Sequence, residues 1–180
     1  GTDGETTGVV NTLKGGSGDD IFLFAGTLTK NDKVDAGAGT DDAVRITAHD
    51  GATTLKITDR TLTNVEKLRV DATTNKDTSL NADGDAITTY ELVENDTTSK
   101  DATITNLETT DRVSIILNNN AGDAGAFTLG FKDPSGAADS FTFDIKGTTA
   151  HGAENVESVT AADIETVTFN ATSFSTVDMV

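Results

Sequence analysis

The sequence predicts an all-β chain wound largely as parallel β-solenoid coils. Three observations carry the prediction: period-two alternation of apolar residues, glycine–aspartate turns about one coil apart, and two short units that recur along the chain. The first is seen in Val44-Arg-Ile46, Val113-Ser-Ile115 and Phe141-Thr-Phe143-Asp-Ile145. Alternation rich in Thr, Val, Ile and Phe marks strands with one face buried. Residues 84–94 are the least clear stretch. They have room for a helical turn, but their β-branched residues disfavour one. Apolar residues make up 35% and aromatics 5% of the chain. That supply suits a thin stack of coils better than a thick core.

Residues 1–12 are polar and read as a flexible leading segment. Gly1-Thr2-Asp3-Gly4-Glu5 has no signal-peptide character and suggests a segment cut from a longer chain. Residues 13–100 read as the coil-forming part that carries the glycine–aspartate turns, and 101–180 as further β repeats. The second part has two readings, continuation of the coils or a separate β-sandwich. Within it, Phe127–Phe131 and Phe141–Ile145 flank a Pro- and Gly-containing loop. They read as an inserted antiparallel hairpin.

The repeated units are short. One opens with Asp and continues as an alternating strand, at Asp42-Ala-Val-Arg-Ile, Asp111-Arg-Val-Ser-Ile and Asp139-Ser-Phe-Thr-Phe. The other is Asn or Asp, an aliphatic residue, then Glu. It occurs at Asn64-Val-Glu66, Asn106-Leu-Glu108, Asn155-Val-Glu157 and Asp163-Ile-Glu165. Asn and Asp form tight turns by bonding nearby backbone, so each copy reads as a coil corner. The aliphatic residue then points inward and the Glu emerges at the edge. Such units must stack, because one alone cannot bury its apolar face.

The chemistry concentrates in Gly15-Gly16-Ser17-Gly18-Asp19-Asp20-Ile21-Phe22-Leu23, which fits the nonapeptide G-G-x-G-x-D-x-U-x at every fixed position. Glycines let the backbone turn tightly and aim carbonyls inward, and the Asp adds a carboxylate. Calcium takes six to eight oxygens, so one turn is too few and a second must stack on it. Ala36-Gly37-Ala38-Gly39-Thr40-Asp41-Asp42-Ala43-Val44 supplies that turn, with Ala for the first Gly and Ala43 for the bulky residue. In the template Asp41 corresponds to Asp20, 21 residues earlier. A coil of two nonapeptides is about 18 residues, and the surplus fits in the opposite bend, 26–32. The two turns are then expected on one edge, sharing a calcium ion.

These turns resemble the RTX repeats of proteins exported by bacterial type I secretion. Together with Thr63-Asn-Val-Glu-Lys-Leu-Arg-Val70, the chain resembles RTX-containing bacterial S-layer proteins. The resemblance is dense from about residue 13 to 73. It implies a secreted, cell-surface protein that folds on calcium and self-associates or joins other surface components. It implies ligand or turn roles for Gly15, Gly16, Gly18, Asp20, Gly37, Gly39 and Asp41. An adhesin module and an accessory domain of a secreted hydrolase are the competing readings.

Charge narrows the partners. The net charge is −17, with 30 acidic and 13 basic residues. Nucleic acid and anionic membrane surfaces are therefore poor partners, whereas cations are good ones. No stretch is apolar enough to span a membrane. The absence of cysteine removes disulfides, thiolate zinc sites and thiol nucleophiles. His49 and His151 are the only histidines and neither sits in a catalytic motif, so the chain reads as non-enzymatic. Asn81-Ala-Asp83-Gly84-Asp85 begins like an EF-hand loop but has Leu92 where the closing Glu belongs, and reads as a turn.

Overall fold

A computed structural model describes residues 2–4, 12–25, 28–29, 31–49, 55–56, 61–72, 77–82, 86–94, 101–117, 124–133, 138–147, 155–172 and 176–179. The strands form three sheets, and every pairing between them is parallel. One sheet holds β1 (Thr2–Gly4), β3 (Ile21–Ala25), β5 (Ala43–His49), β8 (Lys67–Ala72), β10 (Thr89–Glu94), β12 (Arg112–Leu117), β14 (Ser140–Gly147) and β16 (Thr166–Thr172) in that order. A second is β2 (Thr12–Ser17), β4 (Lys33–Ala38) and β7 (Thr61–Thr63). The third runs from β6 (Leu55–Lys56) through β9 (Thr78–Asn81), β11 (Ala102–Leu107), β13 (Ala124–Phe131) and β15 (Asn155–Ala161) to β17 (Thr176–Met179). The chain returns to the eight-stranded sheet after each visit to the others, visiting one of them each time except between β5 and β8, where it passes through β6 and then β7. Parallel neighbours in each sheet are thus supplied by successive circuits, which is a β-solenoid. Among the described residues there is no helix.

The alternation seen in the sequence becomes ladders of inward side chains. Phe22, Val44, Leu68, Tyr90, Val113, Phe143 and Phe169 follow one another in register across the eight-stranded sheet. Phe24, Ile46, Val70, Leu92, Ile115 and Ile145 form the next ladder. The opposing faces answer with Leu13, Val34 and Leu62, then Leu80, Ile104 and Leu129. Most of these are fully buried in one continuous cluster. Fully burying one such side chain contributes about 1.5–3 kcal/mol, and each meets like residues above and below.

Two expectations are corrected. Phe127–Phe131 and Phe141–Ile145 do not form an antiparallel hairpin. β13 pairs with β11 and β15, and β14 with β12 and β16, so the two strands lie in different sheets. Both alternate because each buries one face in the same core: the Phe127 and Phe143 rings are 6.3 Å apart, and Phe131 and Phe141 meet edge to face at 4.8 Å. A separate β-sandwich in the second half is likewise ruled out. β10 pairs with β12 and β9 with β11, so the sheets run unbroken through residue 100.

The described passages into the eight-stranded sheet lie on one edge of the solenoid. Three of them, at 64–66, 106–108 and 163–165, are Asn/Asp-aliphatic-Glu units. Asn64, Asn106 and Asp163 have φ of 55°, 61° and 63°. This left-handed conformation is one that Asn and Asp tolerate better than other side chains. Val65 and Leu107 are buried behind them, as the corner reading requires. The Asn155 copy differs, since it starts the strand β15.

Candidate functional site

The two Gly–Asp turns join β2 to β3 and β4 to β5, one above the other on this edge. Backbone register sets Gly16 opposite Gly37 and Ser17 opposite Ala38, so Gly15 lies at the level of Ala36. Beyond the corner, Ile21 stands opposite Ala43. Three residues separate Ser17 from Ile21, and four separate Ala38 from Ala43. The second corner is therefore longer by one residue. It is Asp42, not Asp41, that stands in register with Asp20. The nonapeptide template missed this, because it fixes the Asp by counting from the glycines. The signal was present in the Asp-strand unit: Asp20-Ile-Phe-Leu-Phe aligns with Asp42-Ala-Val-Arg-Ile when the strands are matched.

The coils come close at this edge. Gly37 has φ of +95°, and a Cβ there would run into the Gly16 carbonyl of the coil below. Gly18, at φ +103°, donates its N–H to the Ala38 carbonyl at 2.7 Å. The Ala43 N–H reaches down to the Asp20 carbonyl at 2.8 Å. Asp19 accepts from the N–H groups of Thr40 and Asp41 at 3.3 and 3.2 Å. Asp20 closes its own turn, accepting from the Gly16 N–H at 2.9 Å.

Asp41 and Asp42 then divide. The Asp41 carboxylate is exposed and sits 2.8 Å from the Lys67 ammonium of the next coil. Asp42 is wholly buried. Its Oδ1 accepts from the Asp20 N–H at 2.7 Å, and its own N–H donates to Glu66 Oε2 at 2.9 Å. Its Oδ2 is buried without a donor, the one such side-chain atom among the described residues. A Cβ placed on Gly39 would be 2.6 Å from this Oδ2 and 2.8 Å from the Gly18 carbonyl oxygen. Both acceptor oxygens thus lie against the Gly39 Cα, and no N–H or O–H donor reaches the Asp42 Oδ2. A buried anionic oxygen without a partner is costly, and the natural remedy for two facing acceptors is a cation.

The donor set bears on which cation could be held here. Among the described residues no three His, Cys, Asp or Glu side chains converge on one point. An ion here would rest on the Asp42 carboxylate and backbone carbonyls such as that of Gly18. Those are hard oxygens, the surroundings calcium accepts and thiophilic or imidazole-seeking metals do not. Of the residues expected in the site, Gly15, Gly16, Gly18, Asp20, Gly37 and Gly39 are brought together here, and Asp41 is turned toward Lys67. Asp42 was missed.

The same column of acidic residues continues along the edge. Glu165 Oε2 accepts from the Asp139 N–H at 2.8 Å, as Glu66 does from Asp42. Thus the Glu of one repeat unit caps the Asp of the other, one coil below. Asp111 accepts instead from the Glu108 N–H within its own corner, at 2.8 Å. His151 and the acidic residues Asp83 and Asp85 lie outside the described residues. Comparison with protein-family models, with curated proteins and with solved structures returns no match.

Proposed function

We propose that this chain is a non-catalytic, calcium-ordered structural segment of a secreted bacterial surface protein. One observation carries the reading: the buried Asp42 Oδ2, without a donor, facing the Gly18 carbonyl at a Gly–Asp corner. A calcium ion there would satisfy both oxygens. Glycine at 39 lets both oxygens approach where a Cβ would collide with them, and Asp20 and Asp42 lie in register. The charge of −17 supports the same reading, because it opposes close stacking of acidic corners without counter-charge. In low cytosolic calcium the edge would repel itself, and outside the cell binding energy would become folding energy. The resemblance to S-layer proteins gives the setting: calcium-dependent assembly with other copies or other surface components. A solenoid with parallel ladders suits that role, since it is extended and repetitive.

The test is Asp42→Asn. The amide can keep an oxygen for the Asp20 N–H and offer its NH2 to the Gly18 carbonyl. The variant is expected to hold the calcium-free fold at least as well as the parent, with a gain of about 1 kcal/mol for the new hydrogen bond. It is also expected to lose the calcium response. Parent protein saturated to a hundred times its dissociation constant should gain about 2.7 kcal/mol. Thermal melts by circular dichroism, with EGTA and with millimolar calcium, read both effects. A parent melt that ignores calcium would sink the proposal.

A further inference from the structure

We infer, building on that reading, that calcium orders only the coils of the two Gly–Asp corners. The coils above are closed by the chain's own lysines and by carboxylate-to-backbone bonds, and need no cation. The chemistry changes along one edge. At the first two corners, glycine allows the coils to approach closely, and each corner carries two aspartates, Asp19 and Asp20 then Asp41 and Asp42. One buried oxygen there lacks a donor.

The next corner is built differently. Asn64 supplies the left-handed turn in place of glycine. Glu66 spends a carboxylate oxygen on the Asp42 N–H. Lys67 places its ammonium 2.8 Å from Asp41, with its side chain only 23% exposed. A fixed cation therefore stands at the top of the Gly–Asp pair. Further up, the Glu108 N–H bonds Asp111, and Lys132 approaches Glu108 at 3.7 Å. Asp139 is capped by Glu165. Among the described residues none of these corners leaves a buried side-chain oxygen without a donor. In a repeat protein, stability is a sum over neighbouring coils, so a ligand acting at one end need not act at the other. Lysine substitution for the metal thus sets a boundary between a calcium-gated end and a self-sufficient stack.

Hydrogen exchange with mass spectrometry on the whole chain tests this. On adding calcium to EGTA-treated protein, amides of β2 to β5 (12–49) should slow by about tenfold or more, the change expected of roughly 1.4 kcal/mol of local stabilisation. Amides of 102–117 and 140–147 should be protected equally in both conditions. Lys67→Gln removes the fixed charge and should extend the calcium-sensitive region into β7 and β8. Calcium protection spread evenly over all coils overturns the inference and leaves the calcium site standing. So does a Lys67→Gln map identical to the parent's. No change anywhere, with no heat of calcium binding, overturns both.

Discussion

At the scale of single residues, burial decides which acidic groups are costly. Asp111 is mostly buried, and desolvation pushes its carboxyl above the ordinary value. The Glu108 N–H pulls it down, the Glu108 charge pushes it up, and Lys132 pulls it down again. A raised value in the fold means that the folded chain holds this proton more tightly than the unfolded one. The group therefore favours folding in acid, and that contribution is lost as pH rises through the raised value. Asp111→Asn keeps the acceptor for the Glu108 N–H. It should match or exceed the parent in urea melts at neutral pH, with the advantage closing below about pH 4. Glycines divide as sharply. Gly37→Ala forces a side chain into φ +95° and against the Gly16 carbonyl, and should cost about 3 kcal/mol or more. Gly16→Ala meets open space and should stay within about 0.5 kcal/mol by the same melts. The Gly15 and Gly37 turns were legible in the sequence. The choice of Asp42 over Asp41 was not, because one extra residue in a corner is invisible until the flanking strands are paired.

At the scale of elements, the corner and the strand it feeds are a single device. The left-handed residue reverses the chain, the aliphatic residue packs inward, and at Glu66 and Glu165 the carboxylate ties the corner to the coil below. Asn64 also donates to Asp35 at 3.0 Å. Asn64→Ala should therefore cost about 1–2 kcal/mol through the backbone alone, and Asn64→Gly should recover most of it in chemical denaturation. Strands and corners were readable from alternation and from the Asn-Val-Glu units. The hairpin over 127–145 was misread because alternation reports a buried face and not a partner. Two strands with a loop between them look alike whether they pair or merely face each other. The Asn155 copy was misread for a related reason: three residues define a corner only if strands flank them on both sides, and here the strand begins at Asn155 itself. The outer face also escaped the sequence reading. Asp71 is buried there and accepts from both Arg45 and Arg69, each at 2.9 Å through Nε. Arg45 and Asp71 are too far apart in sequence for any local pattern to join them.

At the scale of the whole molecule, the fold follows from one rule applied repeatedly: each circuit buries its apolar ladder on the circuits beside it. A cluster of aromatic residues lies toward one end, where Phe143 packs on both Phe127 and Phe169. The Gly–Asp corners gather toward the other. Parallel registry has a mechanical consequence. Ladder hydrogen bonds point along the stack while the strands run across it. Tension between the two ends of the stack would load the bonds of one circuit at a time and peel it from its neighbour. An extending force in optical tweezers should therefore give a sawtooth. Each step would release roughly 70–80 Å, the reach of a circuit such as Ile21 to Ala43 at about 3.3–3.6 Å per residue. A molecule built this way would lengthen in increments under load, shedding tension circuit by circuit before any strand had to tear.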